Sequence, residues 1–108
     1  MRLKLPVCLA PIGSLQQISA GGGASAAKAA GRFGCAHMLS SVCEPGMDEV
    51  AKEAPDACRV FQLYVRGDHD WVDDKVRQAQ DLGYKAFAVT IDLDAYSRRE
   101  RDLSKRFV

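Results

Sequence analysis

The stretch Val60-Phe61-Gln62-Leu63-Tyr64-Val65 decides how this sequence folds. It is short, mostly apolar and rich in β-branched and aromatic side chains, which suits a buried parallel strand. Three further runs are also short and mostly apolar: Val7-Cys8-Leu9-Ala10 and Ala36-His37-Met38-Leu39 before it, and Ala86-Phe87-Ala88-Val89-Thr90-Ile91 after it, the last equally rich in β-branched and aromatic residues. Each is followed by a turn or a polar residue. The runs start 29, 24 and 26 residues apart, an interval that fits a plain βα unit with few insertions.

Helical segments fill the intervals. Ala24 to Phe33 is alanine-rich, with high helix propensity, and Gly34 is placed to end it in a left-handed conformation. Met47, Val50, Ala51 and Ala54 recur at helical spacing until Pro55 stops them. Asp68 or Asp70 caps a third helix whose apolar face is Trp71, Val72, Val76, Ala79 and Leu82, with Gly83 past its end. The order β-α-β-α-β-α-β predicts an α/β fold with a parallel sheet and right-handed crossovers. A complete (β/α)8 barrel needs about 250 residues, so residues 1–108 hold about three and a half of its units. The period alone leaves a small open sheet and a piece of a barrel equally open.

The totals narrow the function classes. A chain of 108 residues, 47% hydrophobic and 27% charged, is one ordered domain at most. A net charge of +1 supplies no field to draw nucleic acid or an anionic membrane. No apolar run nears the ~20 residues of a membrane span, and the start, Met1 to Pro6, lacks the apolar stretch of a signal peptide. A cytoplasmic location is the default, with a peroxisomal one for a eukaryotic relative. Cys8, Cys35, Cys43 and Cys58 form no C-x-x-C pair, and there are only two histidines. Neither a metal site nor a disulfide framework is expected, and the thiols read as small buried hydrophobes. The charged stretch Ser97 to Arg106 reads as a solvated loop or helix.

Ligands of parallel α/β folds bind beyond the carboxyl ends of the strands, so the polar residues there carry the functional reading. The first run leads into Pro11-Ile12-Gly13-Ser14 and the second ends in Ser40-Ser41. Gln62 and Tyr64 share one face of the third, and Thr90 and Asp92 share one face of the fourth. A glutamine between Phe61 and Leu63 needs hydrogen-bond partners if buried, and these could be neighbouring strands, water or the edge of a ligand ring. Four strand ends of this kind point to a polar ligand without identifying it.

Taken together, Leu9-Ala10-Pro11-Ile12-Gly13, Leu39-Ser40-Ser41, Phe61-Gln62-Leu63-Tyr64-Val65, Gly83-Tyr84-Lys85-Ala86, Val89-Thr90-Ile91-Asp92 and Arg98-Arg99-Glu100-Arg101-Asp102 resemble the FMN-dependent 2-hydroxy acid oxidase and dehydrogenase family. Glycolate oxidase, lactate oxidase and flavin-linked lactate dehydrogenase are members. The resemblance is collinear over nearly the whole chain. It implies a partial TIM (β/α)8 barrel made of about its first four parallel strands with intervening helices. It also implies FMN as cofactor and a small lactate- or glycolate-like 2-hydroxy acid as substrate, oxidised to the 2-oxo acid. Pro11, Ile12 and Gly13 would meet the flavin through their backbone, Gly13 permitting close approach. Ser40, Gln62 and Thr90 would hydrogen-bond the flavin ring, Tyr64 would reach the substrate through its hydroxyl, and Arg99 would grip the substrate carboxylate with two parallel bonds.

The sequence departs from the family in places. Val42 stands where an aromatic residue is usual, Ser19-Ala20-Gly21-Gly22-Gly23 replaces a His-Pro turn, and Leu93-Asp94 replaces a proline and a threonine. The histidine base, a neighbouring arginine, a flavin-contacting lysine and much of the phosphate site belong to the second half of the family's barrel, past Val108. His37, inside an apolar run, reads as a packed residue and His69 as an exposed one, so neither supplies that base. Residues 1–108 alone are therefore expected to be inactive and to self-associate through two unpaired sheet edges. The competing readings are a non-catalytic half-barrel that binds flavin or protein, and another flavin- or phosphate-binding TIM barrel such as a type 2 isopentenyl diphosphate isomerase relative.

Overall fold

Each apolar run becomes a strand of one parallel sheet. The computed structural model describes residues 2–92 and 100–106. The strands are β1 (Cys8–Leu9), β2 (Ala36–Ser40), β3 (Cys58–Tyr64) and β4 (Ala86–Thr90), hydrogen-bonded in the order β1-β2-β3-β4. Between them lie a one-turn 3-10 helix (Leu15–Gln17) and helices α1 (Gly22–Phe33), α2 (Met47–Glu53) and α3 (His69–Asp81), with α4 (Glu100–Ser104) last.

The helix ends follow local chemistry. Gly34 closes α1 with φ 72°, and its N–H reaches back to Ala30 and Gly31. Asp68 caps α3 by accepting from the Trp71 N–H at 3.0 Å, and Gly83 beyond the helix takes φ 76°. The alanines of α1 have a packing consequence: Ala24 and Ala27 are buried in the same cluster as Val50 and Ala51 of α2, Ala79 of α3, and Leu39, Phe61 and Leu63 of the sheet.

That single cluster separates the two architectures left open by the strand period and agrees with the barrel that the resemblance implies. A doubly wound sheet reverses its strand order and covers both faces with helices. Here the strands run in sequence order, and α1, α2 and α3 all contribute to one core on one side. This is the wall of a β/α barrel, with the helices outside and the opposite sheet face turned inward.

One expectation fails. The sequence predicts a strand at the first run and a buried thiol at Cys8. β1 is only two residues long, both are exposed, and Cys8 is exposed, whereas Cys35 and Cys43 are buried. Composition alone cannot distinguish a central strand from an edge strand, and among the described residues β1 pairs only with β2.

His37 is fully buried beside Arg59, its register partner on β3. Burial lowers the His37 pKa. Arg59 is buried too. Its guanidinium donates to the carbonyls of Ala54 and Leu82 and lies over the Tyr84 ring, 5.3 Å from the centroid. The Tyr84 hydroxyl donates to the Met47 carbonyl at 3.0 Å. One cation thereby satisfies carbonyls at the carboxyl ends of both α2 and α3, where helix dipoles favour positive charge.

Candidate functional site

Side chains alternate across a strand, so the helix-facing positions of β3, Phe61 and Leu63, send Gln62 and Tyr64 to the inner face. Register carries this face across the sheet. Ser40 stands opposite Gln62, Gln62 opposite Ala88, and Tyr64 opposite Thr90. The polar residues therefore gather near the carboxyl ends of β2, β3 and β4.

Ser40 and Gln62 are only 3% and 5% exposed. The Gln62 amide nitrogen donates to the Thr90 hydroxyl oxygen. That bond ties the edge strand β4 to β3. It leaves the side-chain oxygen Gln62 Oε1 free to accept and the Thr90 hydroxyl free to donate its proton. Ser40 Oγ accepts from the Val42 N–H at 3.3 Å and retains its own hydroxyl proton. The set offers donors and acceptors side by side, above the small side chain of Ala88.

The turn after β1 arrives from the other edge. Pro11 is partly buried, while Ile12 and Gly13 are exposed. A Cβ on Gly13 would stand 2.9 Å from the Val42 side chain, so the backbone there approaches its neighbour more closely than another residue would allow. The Ser14 N–H donates to the Val42 carbonyl at 3.0 Å. Tyr64 is half-buried at the end of β3. Arg99, assigned to the substrate carboxylate, lies outside the described residues, as does Arg98.

Ser41, beside Ser40 at the end of the second run, joins the site through its hydrogen bonds. Its hydroxyl accepts from the Tyr64 N–H at 3.1 Å, and its N–H donates to the Gln62 carbonyl at 2.8 Å. It therefore extends the β2–β3 pairing past the last ladder pair and fixes the backbone of Tyr64. The paired serines at a strand end were the available signal.

A cleft of about 380 Å³ opens between α2 and α3, with Trp71, Lys75 and Gln78 on one wall. Its apolar floor, Phe61 and Leu63, belongs to the helix side. Its lining also includes Ser40 and Tyr64 of the inner face.

Comparison with known proteins gives one consistent result. The family described as FMN-dependent dehydrogenase matches residues 1–108. Glycolate oxidase 1 from Oryza sativa subsp. indica is 36% identical over 107 residues, which are 99% of this chain and 29% of the relative. Human 2-hydroxyacid oxidase 1 is 33% identical, covering 98% of this chain and 29% of the relative. The crystal structure of mandelate oxidase with (S)-2-phenylpropionate superposes with a TM-score of 0.86 at 29% identity, covering all of this chain and 32% of that one. The chain thus spans less than a third of the length of the relatives it matches.

Proposed function

This chain belongs to the FMN-dependent dehydrogenase family, and from that premise we propose that it forms the flavin-facing wall of an enzyme that oxidises a small 2-hydroxy acid to the 2-oxo acid. The observation that carries this reading is the pair of buried polar side chains Ser40 and Gln62, in register on the inner face and joined to Thr90. A flavin ring is flat and alternates acceptors and donors along its pyrimidine edge. The residues present fit such a ring: hydroxyls and an amide that can both donate and accept, small Ala88 opposite Gln62, and a backbone turn at Gly13 with no side chain to intervene.

When bound, FMN accepts the two electrons of the oxidation. The chain's own residues bind and orient. Ser40, Gln62 and Thr90 hold the ring edge, and the backbone of Pro11, Ile12 and Gly13 lies against the ring. Tyr64 meets the substrate through its hydroxyl, fixed by Ser41 beneath it. Arg99 binds the carboxylate, because a guanidinium stays charged and presents two parallel N–H groups. The base that takes the proton belongs to the remainder of the barrel. Glycolate and lactate are the first substrates to try, mandelate the bulkier alternative.

The test is anaerobic. The full-length protein loaded with FMN should lose its visible flavin absorbance when a 2-hydroxy acid is added. Arg99→Lys should raise KM for the acid roughly tenfold or more, since one bidentate contact is lost, with FMN affinity unchanged. Absorbance that persists with glycolate, lactate and mandelate alike would contradict the reading.

A further inference from the structure

We propose that Gln16 is a positioning residue for the flavin-facing turn, acting by latching the β1–α1 loop to the β2–α2 loop. This inference rests on the flavin reading above. β1 has only two residues, so the sheet itself holds Pro11, Ile12 and Gly13 weakly. The turn instead gains its position from the loop after β2. The Ser14 N–H donates to the Val42 carbonyl at 3.0 Å, and the Gly23 N–H donates to the Glu44 carbonyl at 3.1 Å. Between these backbone bonds, the Glu44 N–H donates to Gln16 Oε1 at 3.0 Å.

The packing leaves no slack. A Cβ at Gly22, where φ is +43°, would stand 1.9 Å from the Glu44 carbonyl oxygen and 3.3 Å from the backbone nitrogen of Gln16. The two loops are therefore in direct contact, and Gln16 is the side chain that bonds between them. Val42, in the middle of the latch, also donates its N–H to Ser40 Oγ. Displacing the loop after β2 thus moves two ligand-facing elements relative to each other: the turn at Gly13 and the hydroxyl of Ser40. Gln16 touches neither directly. It sets their separation.

The experiment uses the full-length protein and two readouts. FMN alone is titrated by the quenching of its fluorescence, and backbone amide exchange is followed without FMN. Gln16→Leu keeps the size and removes the acceptor. It should weaken FMN binding about fivefold to tenfold, the scale of one net hydrogen bond. It should also speed exchange at the Glu44, Gly23 and Ser14 amides while leaving those of β3 unchanged. Gln16→Glu, which keeps an acceptor oxygen, should restore both. Unchanged FMN affinity in Gln16→Leu overturns the positioning role, and so does unchanged exchange at Glu44. Faster exchange throughout the sheet overturns it too, because Gln16 would then be a general stabilising residue. Wild-type protein that binds no FMN at all brings down the flavin reading and the positioning role with it, an outcome distinct from failure of the latch alone.

Discussion

The middle of this sheet and its edges are built differently. β2 and β3 are buried, with Leu39 and Leu63 sealed beneath the helices and Ser40 and Gln62 nearly sealed on the other face. β1, β4 and the residues that flank them carry exposed apolar side chains: Val7 and Leu9 at one edge, Val89 and Ile91 at the other. The candidate site spans both kinds of region. Ser40 and Gln62 sit on the rigid centre, while the Gly13 turn and Thr90 come from the edges and are held by specific polar links. A site assembled this way depends on core packing for its middle and on single hydrogen bonds for its flanks.

The largest expected effect tests the centre against the edge. Leu63 is 1% exposed and Val89 is 50% exposed. In the chain of residues 1–108, Leu63→Ala should cost about 3 kcal/mol through lost burial and a residual cavity. Val89→Ala should cost under about 0.5 kcal/mol, as surface substitutions do. Urea unfolding measures both, and equal costs would mean that the edge is covered and the contrast is false.

A smaller effect is expected at the link between edge and centre. Thr90→Val removes the acceptor of the Gln62 amide and leaves a buried donor unpaired. The loss should be about 1–2 kcal/mol, and Thr90→Ser should recover most of it. A Thr90→Val chain as stable as wild type would show that the Gln62 amide finds another partner.

The smallest effect concerns pH. His37 is buried in the centre and its pKa is lowered. The unfolded chain therefore binds the proton more readily than the folded one, starting near the ordinary histidine value of about 6.5. Stability from this group is complete above that value and falls as pH drops toward the lowered folded pKa. The slope is at most about 1.4 kcal/mol per pH unit for one proton. His37→Phe should flatten the change in unfolding midpoint between about pH 7 and pH 5.5. An identical slope in both chains would remove His37 from the account.

Much of this was legible in the sequence because it depends on local chemistry. The left-handed Gly34 and Gly83, the Asp68 cap and the strands around Gln62 and Thr90 each follow from a few adjacent residues. What was not legible depends on partners distant in the chain. The apolar run at Val7 reads as a strand, and its exposure follows from its place at one end of the sheet that the described strands form. Arg59 looks like a surface charge until two helix ends are brought to its guanidinium. Gln16 lies in a one-turn 3-10 helix that no sequence periodicity marks, and its partner Glu44 is 28 residues away. The strand period cannot tell a barrel wall from an open sheet; the family resemblance implies the barrel, and the helices lying on one side of the sheet agree with it.

The central claim is that the inner face, not the helix-side cleft, receives the flavin. Fluorescence titration of the full-length protein with FMN tests it, using Gln62→Leu on the inner face and Lys75→Leu on the cleft wall. The account predicts that Gln62→Leu weakens FMN binding at least about tenfold, as expected when a buried amide loses its bonds to the ligand, and that Lys75→Leu leaves it unchanged. Weakening by Lys75→Leu with full affinity in Gln62→Leu would place the ligand in the cleft and contradict the account.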